Sequence, residues 1–316
     1  MNKQTTGIHH ITAFAKNPQQ NIDFYVGVLG LRLVKKTINF DAPEVYHFYF
    51  GNEQGSPGTI MTFFPWPTAR RGKIGGGQVG TTSFVVPPGS LSFWEERLGR
   101  FNVEVRKSMR FGETYLQFND HEGLQLELVE REAGEDSKWS FGGVPADKAI
   151  KGFGGAVLFS TVPDRTMKTL ADVMGLQKVA EEGDLVRFQA AGDLGNVIDI
   201  NARPMPWGAD GAGVVHHIAW RAQDFDDHEA WRTHLLASGF RPTPIIDRQY
   251  FHAIYFREEG GILFEIATDP PGFLVDEEFD RLGEKLMLPE WFEANRGQIE
   301  AGLLPIEVRV LEEDRQ

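Results

Sequence analysis

Residues 7–12 read Gly-Ile-His-His-Ile-Thr and residues 214–219 read Val-Val-His-His-Ile-Ala, so the same histidine pair recurs 207 positions later. A repeat of this kind indicates the architecture of a chain before any single element is assigned. Each copy opens a unit in which one strand is followed by a helix and then by three further strands. The two copies therefore predict a βαβββ unit at each end of the chain.

Helix and strand signals occur in the same order in the two terminal units. In the first unit, Asn17 and Pro18 suit the N-cap and the first position of a helix, and Gly30 ends the amphipathic stretch that follows. The strands of this unit are predicted at 33–40, 45–50 and 59–64. In the last unit, the helix is predicted at 224–238 and the strands at 243–247, 252–256 and 262–267.

Two weaker copies of the unit lie between the terminal ones. The second unit is predicted to begin at Thr81, with a helix at 90–98 and a last strand at 124–129. The third is predicted to begin at Gly154, with a helix at 164–174 and a last strand at 197–200. Four βαβββ units paired into two domains predict an α+β fold. Repetition alone does not distinguish a catalytic fold from a purely structural one.

Length and composition agree with two globular domains. A chain of 316 residues is too long for one ordinary core, and 41% hydrophobic with 24% charged residues is typical of a globular protein. We place the domains at 1–135 and 150–270, with a polar linker near 130–139 and a charged, helical tail at 271–316. The sequence leaves open whether the protein forms a homo-oligomer.

Charge and cysteine content narrow the possible functions. A formal net charge of -13 argues against nucleic acid or an anionic membrane as a partner, because both favour a basic surface. The chain has no cysteine, so a bound metal would need imidazole and carboxylate ligands. The N-terminus is polar and no apolar run approaches 18 residues, from which we expect a cytoplasmic protein acting on small molecules.

The two histidine pairs contain the first candidate metal ligands. Neighbouring side chains of a strand point to opposite faces, so only one histidine of each pair is expected to face a cavity. His10 and His217 share their faces with polar neighbours, whereas His9 and His216 share theirs with apolar residues. This alternation selects His10 and His217 as ligands.

Glu265 is the third candidate ligand. It lies in the run 260–265, Gly-Gly-Ile-Leu-Phe-Glu, and the strand around it is apolar on both faces. A buried carboxylate costs several kcal/mol unless it is paired or binds a metal. A lone histidine on a strand is usually a core residue, but two repeated pairs together with Glu265 favour a metal site. Two imidazoles and one carboxylate are the ligand set of non-haem Fe(II) oxygenases.

The repeat also indicates which ligand is missing. Aligning Gly58 with Gly261 places Thr62 opposite Glu265, so one carboxylate of a symmetric site is absent and the ion should keep exchangeable positions. Glu127 and Asp199 end the middle units, but no histidine stands on the first strands of those units, so neither acid is predicted as a ligand. Five further histidines are predicted to be surface or structural residues: His47, His121, His228, His234 and His252.

At these residues the chain resembles the vicinal oxygen chelate superfamily, and within it the ring-cleaving dioxygenases that open hydroquinones and related dihydroxy-aromatics. The resemblance covers nearly the whole chain. It rests on the histidine pairs, on the run 260–265, and on the runs 46–51, 57–65 and 110–113. It implies cupped, barrel-like mixed sheets with outer helices, in which the first and last units hold a metal and the second and third form a similar cup without one.

The resemblance also implies roles for individual residues. The ligands would be His10, His217 and Glu265, holding Fe(II), with Mn(II) as the alternative ion because both accept this ligand set. The catalytic residues around the ion would be Thr12, His216, Arg248 and Tyr255. Tyr255 would donate a proton or hydrogen bond to the reacting oxygen, and Arg248 would stabilise developing negative charge.

The implied activity is that of an extradiol-type ring-cleaving dioxygenase that inserts O2 into the ring of a hydroquinone or another dihydroxy-aromatic. Two alternatives remain open. A glyoxalase-like metal-dependent isomerase or lyase would normally need a fourth protein ligand, often a glutamate at the position of Thr62. A non-catalytic resistance protein that binds an aromatic compound would need no metal at all.

Overall fold

The computed structural model describes residues 3–315 and contains four βαβββ units. The first comprises β1 (Ile8–Ala15), α1 (Pro18–Ile22) with a π-helical extension (Asp23–Val28), β2 (Arg32–Asn39), β3 (Ala42–Gly51) and β4 (Ile60–Pro65). The second comprises β5 (Gln78–Val86), α2 (Leu91–Arg100), β6 (Arg106–Arg110), β7 (Glu113–Asn119) and β8 (Gln125–Glu130). The third comprises β9 (Gly152–Phe159), α3 (Pro163–Lys168) with a π-helical extension (Thr169–Val173), β10 (Gln177–Glu182), β11 (Leu185–Gln189) and β12 (Val197–Asn201). The fourth comprises β13 (Val215–Ala222), α4 (Phe225–Ala237), β14 (Ile246–Asp247), β15 (Phe251–Arg257) and β16 (Leu263–Pro271).

Capping side chains fix where the helices of the terminal units begin. Asn17 accepts a hydrogen bond from the N–H of Gln20, and Pro18 occupies the first turn of α1. Asp224 caps α4 in the same way, by accepting a hydrogen bond from the N–H of Asp227. Both helices therefore begin where the sequence signals predicted them.

Within residues 3–315, sixteen strands form two eight-stranded mixed sheets, each made from two units. The first sheet has the order β14-β15-β16-β13-β1-β4-β3-β2, and the second has the order β10-β11-β12-β9-β5-β8-β7-β6. The two units of each sheet join through an antiparallel central pair, β1 with β13 and β5 with β9. The predicted α+β fold of four paired βαβββ units is thereby confirmed.

The pairing is nested, because the first sheet combines units one and four and the second combines units two and three. Each of the segments 1–135 and 150–270 therefore contributes one unit to each sheet. That these two segments form separate domains stays a prediction. The consequence for the site is that the two histidine pairs, far apart in sequence, lie on neighbouring strands at the centre of one sheet.

Apolar clusters cover both faces of the first sheet. Trp231 and Leu235 of α4 belong to the large buried cluster, together with Trp220 and Phe264 of the sheet. A second cluster contains Tyr49, Phe251, Phe273 and other residues of the same strands, with Tyr255 packed against it. The site lies next to this second cluster.

The segment after β16 is mostly irregular. It contains α5 (Glu290–Glu293), α6 (Arg296–Gly302) and 3-10 turns at Phe273–Val275, Phe279–Arg281 and Glu312–Asp314. The expected helical tail is therefore present only as short pieces, and Pro289 directly precedes α5. The fully buried Lys35 of β2 contacts Asp276 and Glu277 at 2.5 Å each, which attaches the tail to the first sheet. Within residues 3–315, no helix is both long and apolar enough to cross a membrane.

Candidate metal centre and its cavity

The side chains of His10, His217 and Glu265 converge at the centre of the first sheet. They lie on β1, β13 and β16, which are neighbouring strands. The Nε2 atom of His217 is 2.9 Å from Oε2 of Glu265, and Nε2 of His10 is 3.3 Å from each of these two atoms. Within residues 3–315, this is the only group of at least three such side chains whose arrangement could hold a metal ion.

The burial and charge of the Glu265 carboxylate point to a bound cation. The carboxylate is fully buried, and neither of its oxygen atoms has a hydrogen-bond partner within residues 3–315. Burial would raise the pKa of Glu265, but His10 and His217 hold it well below its ordinary range, so the group is ionised. A buried, ionised and unsatisfied carboxylate next to two imidazole nitrogens fits a divalent ion that accepts nitrogen and oxygen ligands.

Each of the two candidate histidine ligands is supported by the histidine that precedes it in the chain. The Nδ1 atom of His10 is 2.9 Å from Nδ1 of His9, and the Nδ1 atom of His217 is 2.8 Å from Nδ1 of His216. A metal-binding histidine usually donates its second N–H to such a partner, which fixes the orientation of the ring. Burial, with a contribution from His217, lowers the pKa of His216 to about 3, so this imidazole is neutral and can accept that hydrogen bond.

The expectation that only one histidine of each pair faces a cavity is wrong for the second pair, because both His216 and His217 line the cavity at this site, whereas of the first pair only His10 does. In the register of β1 with β13, His9 is an extra residue between Ile8 and His10, and His216 is an extra residue opposite the step from Thr12 to Ala13. A β-bulge of this type breaks the alternation of side chains. Both bulged histidines therefore lie beside the candidate ligands, although the alternating pattern placed them on the apolar face.

A cavity of about 330 Å³ opens at the candidate metal centre. Its wall includes His10, His216 and His217 and is otherwise largely aromatic. The aromatic residues are Phe14, Phe40, Tyr49, Phe64, Trp66, Phe251 and Tyr255. Phe251 packs against His10 with ring centroids 4.8 Å apart, which supports one ligand from the cavity side. Such a wall suits a planar, mainly apolar molecule.

Two of the predicted catalytic residues, Arg248 and Tyr255, lie together in the cavity wall. The Nε of Arg248 donates a hydrogen bond to the Tyr255 hydroxyl at 3.3 Å, and its guanidinium pairs with Asp41 at 3.0 Å. Burial and the nearby Glu265 raise the pKa of Tyr255, so the phenol stays protonated. Its ring centroid is 5.7 Å from that of His217, which places a proton donor beside a candidate ligand.

Thr12 is placed differently from the other predicted residues. It is fully buried and does not line the cavity, and its hydroxyl is 2.8 Å from that of Thr62. Thr62 in turn is 2.9 Å from Nε2 of His47. His47 lines the cavity, so the interpretation of this residue as merely surface or structural overlooked its position. The repeat gives no signal for His47, because the residue at the equivalent position of the last unit is Ala253 and not a second histidine.

The two acids of the middle units lie in the second sheet and are neutralised by arginine. Arg110 donates hydrogen bonds to Glu127 at 2.9 Å and to Asp199 at 2.8 Å. Arg187 donates to both oxygen atoms of Asp199, at 2.7 and 2.9 Å. These acids already have cationic partners from the chain, and that they are not metal ligands stays a prediction.

The fold and the His, His and Glu arrangement define a class of protein. The profile of the Glyoxalase/Bleomycin resistance protein/Dioxygenase superfamily matches residues 7–128 and 152–275, and the chain belongs to this superfamily.

Comparisons with individual proteins agree with this membership. MhqO of Bacillus subtilis, provisionally named a ring-cleaving dioxygenase, is 60% identical over 312 residues, which are 99% of this chain and 100% of the relative. Chlorohydroquinone/hydroquinone 1,2-dioxygenase of Sphingobium indicum is 35% identical over 312 residues, which cover 94% of this chain and 95% of the relative. A crystal structure of a Bacillus subtilis protein, provisionally named a dioxygenase, has a TM-score of 0.97 at 60% identity and covers 98% of this chain and 100% of that one.

Proposed function

We propose that the protein is an Fe(II)-dependent, extradiol-type ring-cleaving dioxygenase that inserts O2 into a hydroquinone or another dihydroxy-aromatic. The observation that carries the proposal is the fully buried, unsatisfied carboxylate of Glu265 between the Nε2 atoms of His10 and His217. Three protein ligands leave positions free on the ion, and such a site is typical of non-haem Fe(II) oxygenases. The similarity to a chlorohydroquinone/hydroquinone dioxygenase supports the same activity. Mn(II) is the alternative ion.

The cavity supports an uncharged aromatic substrate. Among its lining residues in the described part of the chain, Arg248 is the one arginine or lysine, and its guanidinium is already paired with Asp41. An ionised carboxylate on the substrate would therefore lack an unpaired cation, and its desolvation would be costly. A neutral ring with hydroxyl groups would instead contact the aromatic wall.

Residues of the chain would position the substrate and the ligand rings and would supply a proton. A bound ferrous ion would supply acidification of a ring hydroxyl and activation of O2. Tyr255 would donate a hydrogen bond or a proton from its hydroxyl, which its raised pKa keeps protonated. Arg248 holds that hydroxyl in place and would stabilise negative charge that develops on the substrate. His9 and His216 would keep the ligand rings in orientation.

Oxygen consumption tests the proposal directly. Protein loaded with Fe(II) under anaerobic conditions would be mixed with oxygenated buffer and a substituted hydroquinone or catechol, and O2 uptake would be followed together with loss of the aromatic absorbance. The proposal predicts stoichiometric uptake of O2 and loss of the ring chromophore. Turnover without O2 consumption would favour an isomerase or lyase. Binding without turnover that persists in Glu265→Ala, in protein without stoichiometric metal, would favour a binding protein.

A further inference from the structure

A chain of hydrogen bonds runs through the first unit beside the candidate metal centre. The Thr12 and Thr62 hydroxyls are 2.8 Å apart, and Thr62 is 2.9 Å from Nε2 of His47. The Nδ1 atom of His47 is 2.9 Å from the hydroxyl of Tyr49. Thr12 stands opposite the ligand His217 in the register of β1 with β13, and Tyr49 lines the cavity. This series of hydrogen bonds therefore leads from the neighbourhood of a candidate metal ligand to the cavity wall.

The internal symmetry of the first sheet gives these hydrogen bonds a counterpart in the last unit. Tyr49 pairs with Thr62 across β3 and β4, just as Tyr255 pairs with Glu265 across β15 and β16. The cavity thus has two equivalent tyrosines. Arg248 holds the hydroxyl of Tyr255, whereas His47 holds the hydroxyl of Tyr49.

Burial and hydrogen-bond chemistry determine the direction of the donors. Burial, with the nearby His10 and His217, lowers the pKa of His47 well below its ordinary value, so the ring is neutral and has one N–H and one bare nitrogen. If Thr62 donates to Nε2, then Nδ1–H donates to the Tyr49 oxygen, and the hydrogen of Tyr49 is free to point into the cavity.

The opposite direction is less favourable. It would leave the hydroxyl hydrogen of either Thr12 or Thr62 without a side-chain acceptor among the described residues, and both threonines are fully buried. A buried donor without an acceptor is costly, whereas a phenol that faces the cavity can donate to a ligand or to water. Burial also raises the pKa of Tyr49 well above its ordinary value, so the phenol remains a donor.

We propose that His47 is a positioning residue, which aims the Tyr49 hydroxyl at the second hydroxyl of a dihydroxylated ring and so makes the cavity prefer diols to phenols. The proposal rests on the proposed function, because it requires an aromatic ring in the cavity with its first hydroxyl at the ion. The His47 ring packs against Tyr49 and Phe64 with centroids 4.0 and 4.4 Å away, which fixes it in the wall. Tyr49 makes the contact with the ligand, and His47 acts through it.

Equilibrium binding without O2 tests this preference. Hydroquinone and phenol would be titrated anaerobically into Fe(II)-loaded protein and followed by calorimetry. One neutral hydrogen bond corresponds to a roughly three- to tenfold change in affinity. We expect Tyr49→Phe and His47→Leu each to weaken hydroquinone binding by that factor and to leave phenol binding within about twofold. The double variant should be no weaker than either single variant, because both changes remove the same contact.

Two conservative variants separate positioning from simple packing. The amide of His47→Asn would lie where Nδ1 lies and keep the bond to Tyr49, whereas the amide of His47→Gln would lie near Nε2 and keep only the bond to Thr62. We expect His47→Asn to restore the diol preference and His47→Gln not to restore it, with the metal content unchanged in both. Equal losses for hydroquinone and phenol in His47→Leu, or restoration by His47→Gln, would overturn the proposal.

The same titrations distinguish this inference from the proposed function. Wild-type protein that prefers hydroquinone to phenol but consumes no O2 with diols would refute the proposed function and leave the positioning role standing. Wild-type protein that binds both ligands equally would refute the positioning role, whatever the result of the oxygen assay.

Discussion

In the first sheet, the buried acid Glu265 faces two imidazoles, whereas in the second sheet the buried acids Glu127 and Asp199 face the guanidinium groups of Arg110 and Arg187. We call the first arrangement the imidazole cup and the second the arginine cup. Both cups place acids on strands that flank a central antiparallel pair. The two cups differ in the side chains that contact those acids, which are imidazoles in the first and guanidinium groups in the second.

The two cups satisfy their carboxylates to different degrees. In the arginine cup, Glu127 accepts hydrogen bonds from Arg110, Ser83 and Gln117, and both oxygen atoms of Asp199 have donors. In the imidazole cup, neither oxygen of Glu265 has a hydrogen-bond donor in the described part of the chain, and its polar neighbours are the Nε2 atoms of His10 and His217. One cup therefore contains its own cations, and we propose that the other takes its cation from solution.

The largest expected effect is the loss of metal binding and ring cleavage when the acid of the imidazole cup, but not that of the arginine cup, is replaced. Glu265→Gln should abolish stoichiometric metal binding and reduce ring cleavage below detection, because the anionic ligand is lost. The matched variant Glu127→Gln should keep both properties. Elemental analysis and the oxygen electrode measure the two variants. Equal metal loss in both, or full metal content in Glu265→Gln, would contradict the comparison.

A second prediction concerns the stability of the arginine cup. Arg110→Met should lower the free energy of unfolding by about 3–5 kcal/mol, because it leaves the buried Glu127 and Asp199 without one of their cations. Urea denaturation of the Fe(II)-loaded protein measures this loss. The metal content of the folded variant should stay equal to that of the wild type. An unchanged unfolding curve would mean that the second cup does not depend on its arginines.

A third prediction addresses the histidines at the bulges. His9→Phe and His216→Phe should each lower metal affinity by about 10- to 100-fold, because each removes the partner that orients a ligand ring. Competition with a chromophoric chelator measures the affinity. His252→Phe is the matched control, since His252 also lies on a strand of the first sheet but outside the cavity. Similar affinities in all three variants would show that the bulged pairs have no supporting role.

The smallest effect is the response of the arginine cup to acid. Burial would raise the pKa of Glu113, but hydrogen bonds from Arg131, Tyr115 and Arg187 lower it to about 2 from an ordinary value of 4.5. Its folded-state pKa is depressed, so its contribution to stability is present above about pH 4.5 and is lost as the pH falls towards about 2.

The variant Glu113→Gln tests this pH dependence. At neutral pH it should be less stable than the wild type, and the difference should shrink progressively as the pH falls through that window. Denaturant titrations at a series of pH values measure the difference. A constant difference across the window would indicate that the charge of Glu113 contributes nothing.

Much of the architecture followed from one repeat in the sequence. The histidine pairs fixed the equivalence of the terminal units, and caps such as Asn17 and Asp224 marked their helices. The tail was overestimated as helix, because its charged composition resembles a helix surface, while its conformation depends on contacts such as Lys35 with Asp276 and Glu277. Such long-range contacts leave no local pattern.

The candidate site could be predicted only as far as periodicity holds. The same three residues selected by alternation and burial, His10, His217 and Glu265, converge in the structure. Alternation failed at His216, because a bulge is set by the pairing of two distant strands and not by local sequence. His47 was missed because its position in the cavity depends on where β3 lies in the assembled sheet.

Anomalous X-ray diffraction at the iron absorption edge tests the central difference between the cups most directly. Crystals would be prepared anaerobically with Fe(II), and anomalous maps would be compared at the two cups. We predict one strong peak enclosed by the Nε2 atoms of His10 and His217 and the carboxylate of Glu265, and none between Glu127 and Asp199. A peak in the arginine cup, or none in the imidazole cup at full iron loading, would contradict the account.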